Sequence, residues 1–117
     1  VITLRETKEK ILREPQWWKI HLMDFVDDFR AKRNLDAVSE PFALSDDQQD
    51  ALLASTAEAL CDEMRLEPPA WLRRIPACRE PYFVSGWENL KASALAQSPL
   101  RFRIRKVFVL ENFLRRV

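Results

Sequence analysis

The residues best suited to chemistry lie around the one histidine. Trp17, His21, Asp24 and Asp28 recur at helical spacing. His21 and Asp24 stand i, i+3 and can hydrogen-bond across one helical turn. Such an Asp–His pair could work as a base or offer two metal ligands. Asp28 would lie about 10 Å along the axis from His21, too far to share an ion with it. A lone histidine among helical aspartates is more often a half-buried ring satisfied by a carboxylate. His21 and Asp24 therefore stand as metal candidates only, and no catalytic residue or cofactor is assigned.

A second candidate is basic. Leu100, Phe102 and Ile104 alternate with Arg101, Arg103 and Arg105, and Lys106 follows. Period two predicts an extended or strand-like piece over residues 100–109, although Leu100, Ile104, Val107 and Phe108 also fit a helix. On a strand the three arginines and Lys106 would project together, with Phe102 and Phe108 turned to the core and Arg115 and Arg116 close in sequence. Several guanidiniums on one face bind phosphates or an acidic partner. The competing expectation is internal pairing. Residues 1–66 carry 9 Lys/Arg against 14 Asp/Glu, a net −5, whereas residues 67–117 carry 10 against 4, a net +6. Two halves of opposite sign can attract each other within one fold.

Tryptophans form the third group. Trp17 and Trp18 would point about 100° apart on a helix, so one of them can reach the surface. Trp17 and Trp71 are the interface candidates, since exposed tryptophans anchor protein contacts. The competing roles are a broad buried face for the Trp17–Trp18 pair and a plug at the core edge for Trp71.

Other chemistries lack their motifs. The sequence has no Gly-rich phosphate loop, Gly-x-Ser-x-Gly, His-Glu-x-x-His or EF-hand loop. Cys61 and Cys78 form neither a Cys-x-x-Cys nor a zinc-spaced cluster, and two reduced thiols in a cytoplasmic protein are expected. No signal peptide and no apolar run of about 18 residues is visible, so no membrane contact is expected. The chain opens on Val1 rather than Met, which leaves room for an upstream segment.

These residues must be carried mainly by helices. At 117 residues and 47% hydrophobic, the chain suits a single domain with a real core. It has one glycine, Gly86, and hairpin turns need positive φ, so a hairpin-rich fold is disfavoured. The expected architecture is all-α, an irregular domain of four or five helices. A first helix is predicted over residues 4–13, opened by a Thr3/Glu6 capping box. A second, over 15–32, carries the stripe Trp18, Leu22, Phe25, Phe29 and is expected to be central. A third runs to about residue 65 behind a Ser45/Gln48 box, with Leu53, Ala57, Leu60 and Met64 inward and Ser55, Glu58 and Asp62 opposite. The prolines after residue 67 allow one turn at 70–74. A Ser85/Glu88 box predicts a helix over 86–97, and a terminal helix is expected over 110–116. At most a minor strand pair is expected, between residues 82–84 and the region of Val107.

Three runs carry a family resemblance: Asp50-Ala-Leu-Leu-Ala-Ser-Thr-Ala-Glu-Ala-Leu, Pro68-Pro-Ala-Trp-Leu, and Ser98-Pro-Leu-Arg-Phe-Arg-Ile-Arg-Lys-Val-Phe-Val-Leu-Glu-Asn-Phe-Leu. Over about residues 15–117 the chain resembles a domain of uncharacterised bacterial proteins, the one that follows a helix-turn-helix module in some antitoxin-type regulators. These residues lack the helix-turn-helix itself, unless it was lost upstream of Val1. The resemblance carries over no catalytic residue. It implies a bacterial cytosolic domain that binds a protein, another chain or a second copy. The expected function is thus a non-enzymatic interaction domain, the alternative being a nucleic-acid accessory domain using the arginine row.

Overall fold

A computed structural model of the chain describes residues 1–115. The first helix, α1 (Leu4–Arg13), begins where the Thr3 hydroxyl accepts the Glu6 N–H at 3.0 Å. A 3-10 turn over Pro15–Trp17 hands the chain to α2 (Trp18–Lys32). Leu22, Met23, Phe25, Val26 and Phe29 are buried along α2, while Ile20 faces solvent. Arg33 takes a left-handed conformation, φ 50°, and its N–H closes the helix on Phe29 O.

The central element is α3 (Asp47–Glu63), not α2. Every residue from Asp50 to Glu58 is buried, including Ser55 and Glu58, which the apolar pattern puts on the outer face. The α3 helix touches α1 and α2 on one side. On the other lie the short helices α4 (Ala70–Arg73) and α6 (Leu100–Arg103) and the strand β2 (Val107–Phe108). Its N-cap is Asp46, whose carboxylate accepts from the N–H groups of Gln48 and Gln49, so the Ser45/Gln48 box does not form.

Ion pairs at Asp50 and at Glu58 and Asp62 fasten the charged residues of α3 to their surroundings. Lys8, on α1, donates to Asp50 at 2.6 Å and to Ala43 O, and its ammonium sits 4.6 Å from the Phe42 ring centre. The other Asp50 oxygen accepts from Ser45 N–H and Asp46 N–H. Arg105 donates to Glu58, to Ile75 O at 3.1 Å and to Leu72 O at 2.7 Å. Arg101 reaches the second Glu58 oxygen at 3.4 Å and clamps Asp62 at 2.7 and 2.9 Å. The expected attraction between the acidic and basic halves is therefore realised inside the fold.

The helical expectation holds, with small β content. β1 (Tyr82–Phe83) pairs with β2 in parallel, Tyr82 beside Val107 and Phe83 beside Phe108. Residues 100–109 are not one strand. A helical turn, α6, precedes Lys106 in a left-handed conformation, φ 60°, and only then does the chain extend. Consequently Leu100 and Ile104 face solvent while Arg105 is buried, the reverse of the alternating pattern. The last helix before it, α5 (Lys91–Gln97), starts late, behind a 3-10 turn over Glu88–Leu90, and Ser85 caps neither. Of the terminal helix expected over 110–116, the described residues form only successive turns, and residue 116 lies outside them.

The buried Arg105 should dominate the stability of the second half. Breaking a buried ion pair from one side strands the other charge, at a cost of about 3–5 kcal/mol. Arg105→Met should lower unfolding stability by about that amount in urea titrations. Adding Glu58→Leu should recover part of the loss, because no carboxylate is then left uncompensated. A single variant within about 1 kcal/mol of the native protein would show that the pair does not hold the halves together.

Candidate functional site

The histidine constellation does not assemble. His21 Nε2 lies 3.0 Å from Glu14 Oε1, a residue of the α1–α2 junction, and the ring is 16% exposed. Asp24 is exposed on the same helix. Asp28 accepts the Ile2 N–H at 2.7 Å and pairs with Lys32 at 2.9 Å, fastening the start of the chain to the end of α2. No group of three or more His, Cys, Asp or Glu among the described residues could hold a metal ion. The half-buried, carboxylate-satisfied histidine is what the structure contains, with Glu14 in the partner's place.

The arginine row is dispersed as well. Arg101 is spent on Asp62 and Glu58, and Arg105 is interior. Arg103 donates to Ala96 O and Ser98 O at the end of α5. Lys106 is exposed at the left-handed turn. The four side chains share no face because a helical turn, not a strand, carries Arg101 and Arg103, and Arg105 and Lys106 follow in the turn after it. Trp71 is a plug: its indole N–H donates to Val38 O at 2.8 Å and its ring meets Phe42 edge-on. Trp17 remains 50% exposed, beside half-buried Trp18.

What the structure brings together instead is a groove beside Trp18. Trp18 and Lys19 open α2, residues 84–90 form one wall, and residues 109–115 form the other. The cavity measures about 400 Å³ and is lined by Trp18, Val84, Trp87, Leu90, Leu110 and Phe113 among others. Trp87 is 67% exposed, a large indole left standing at the rim. Gly86, at φ 70°, makes the turn that presents it, and Gly86 N–H closes that turn on Phe83 O. The opposite wall is tied down along its length, and the Glu111 N–H donates to Gln97 Oε1 at 3.0 Å. Ser98 Oγ accepts the Val109 N–H at 2.9 Å, and Arg30 donates to Leu114 O at 2.7 Å while it grips Glu63. Lys19 lies 5.9 Å from the centre of the Phe113 ring.

A second, smaller recess of about 220 Å³ lies on the other side of Trp18, between Ile11, Leu22, Leu53 and Tyr82 with Asp46 at its edge. Burial pushes the Tyr82 hydroxyl's pKa up, and the Asp46 charge adds to it. Sequence reasoning missed Trp87, Leu110 and Phe113. The usable signal for Trp87 was its place directly after the only glycine, but the Ser85/Glu88 spacing assigned that stretch to a helix.

Neither thiol is poised to react. Burial first, then the Asp62 and Glu58 charges, pushes Cys61 up to about 11. Burial, with Asp47 and Asp46 behind it, raises Cys78. Both thiols are free and buried. Iodoacetamide at about pH 8 should therefore leave the native protein unlabelled and modify both cysteines in urea, read by intact mass. Rapid labelling of the folded chain would contradict this burial.

Two surface carboxylates set an acid limit. The Ile2 N–H and then Lys32 hold Asp28 below the usual carboxylate range, and Arg30 does the same for Glu63. A carboxylate with a lowered folded pKa stabilises the fold above its unfolded value, near 4, and that stability fades as pH falls through the folded value. Asp28→Asn should lose stability at neutral pH and show a flatter decline below about pH 4 in thermal scans. An unchanged acid limb would remove Asp28 from this account.

No helix of the described chain is long and apolar enough to cross a membrane. No family model, no curated protein and no solved structure matches the chain.

Proposed function

We propose that this chain is a non-enzymatic binding domain that captures a segment of another protein in the groove between Trp18 and Trp87. The observation that carries the reading is Trp87, 67% exposed above a floor of Trp18, Leu110 and Phe113. Leaving an indole in water forgoes the burial that folding could have given it. Tryptophans set over an apolar recess are the side chains that most often dominate binding energy. A volume of about 400 Å³ is also within the range of natural ligand pockets.

The reading extends to an antitoxin-like partner only as the expected resemblance would have it. Two further features agree with the binding reading. Two free, buried thiols suit a reducing compartment such as the bacterial cytoplasm. The arginines that would have served nucleic acid are engaged with Glu58, Asp62 and backbone carbonyls.

A photo-reactive benzophenone side chain at Leu90, which lines the groove, should give discrete adducts with a host protein. The same group at exposed Glu9 should not. Excess native chain should compete the adduct away, and excess Trp87→Ala should compete at least tenfold less well, about 1.4 kcal/mol of binding. Equal adducts from both positions, or equal competition by Trp87→Ala, would overturn the groove as the binding surface.

A further inference from the structure

The groove has a sign as well as a shape. Among the described residues, its lining includes two cationic side chains, Lys19 and Arg115, and no carboxylate. Lys19, exposed at the start of α2, has its ammonium 5.9 Å from the centre of the Phe113 ring. Arg115 belongs to the same lining and is exposed. The nearest acid on the Trp87 side, Glu88, pairs with Lys91 at 3.0 Å. Glu111 belongs to two neighbouring recesses and not to this one. An occupant therefore meets apolar walls with two positive charges at the edge.

Resting on the reading of the groove as a protein-binding site, we infer that its partner is an acidic segment. It would carry one large apolar or aromatic anchor, with at least two Asp or Glu residues close to that anchor. The anchor enters between Trp18, Trp87 and Leu110. The carboxylates meet Lys19 and Arg115, where desolvation by the indoles strengthens the attraction beyond that of an open surface pair. A basic segment would place like charges at both ends, and a neutral one would leave two cations partly desolvated without a partner. The acidic partner anticipated for the arginine row is thus relocated to this groove.

Short random peptides displayed on phage, selected on the full chain, test this directly. The enriched peptides should combine an aromatic or leucine anchor with clustered Asp or Glu. A resynthesised peptide, followed by fluorescence polarisation, should bind about tenfold more weakly to the Lys19→Glu/Arg115→Glu variant. It should also weaken when its own acids become amides, and as salt rises from about 50 to 300 mM. All altered residues are exposed, and circular dichroism checks that the fold survives. Peptides that lose binding with Trp87→Ala but ignore the charge reversal would sink the acidic partner and leave the groove standing. Peptides indifferent to Trp87→Ala, or no enrichment at all, would sink both. Salt-sensitive binding of single-stranded DNA, lost in Lys19→Glu while peptides fail, would overturn the inference in favour of nucleic acid.

Discussion

The second half of the molecule depends on one buried carboxylate. Glu58 sits midway along α3, 2% exposed, and an ionised group there is tolerable only if its charge is met in place. Arg105 meets it from 47 residues away, and Arg101 covers the remaining oxygen. The guanidinium's other donors reach Leu72 O and Ile75 O, which otherwise would be buried carbonyls without partners. One planar group thus joins three stretches of chain: α3, the end of α4 and the approach to β2. A lysine would present a point-like ammonium in place of the planar fork of donors that here meets a carboxylate and two carbonyls.

The groove is downstream of that junction. Arg105 fixes where β2 begins, and Cys78 N–H bonds to Arg105 O, which brings in the segment leading to β1. The parallel pair then sets Val84 and the turn at Gly86 on one side. Beyond β2, Ser98 catches Val109 and Arg30 catches Leu114, so Leu110 and Phe113 are laid against the start of α2. Rigid walls matter for recognition, because a wall that must first be ordered subtracts its ordering cost from affinity. Here one wall is tied to α2 and to the end of α5 through Arg30 and Ser98, and the other to β2 through the Val84 N–H.

Local signals in the sequence identified the first half and misplaced its centre. Thr3 and Glu6 mark α1 to the residue, and the Leu22–Phe25–Phe29 stripe marks α2, because caps and stripes are written within a few residues. Glu58 and Ser55 read as solvent face for the same reason: their partners or cover lie far along the chain, where no local window looks. Arg101 to Arg105 failed in the opposite direction. Alternating types imitate a strand, yet Pro99 opens a helical turn, and the deciding contact is again Glu58. Of the groove, only the chance of an exposed tryptophan was legible. Trp17 is exposed, but the groove needs Leu110 and Phe113, which are brought there by long-range bonds.

The turns at Arg33, Arg65 and Lys106 bear on how this chain could change over generations. Each takes a left-handed backbone, φ 50°, 58° and 60°, with a long basic side chain where glycine would fit without strain. Left-handed backbone costs a residue bearing a Cβ about 1 kcal/mol. The scarcity of glycine therefore reflects not a shortage of reversals but reversals made by costlier residues. Such positions are a reserve of unclaimed stability, reachable by single substitutions that leave every core contact in place. A protein with that reserve can absorb a destabilising change elsewhere, at the rim of the groove beside Trp18 for instance, and still fold.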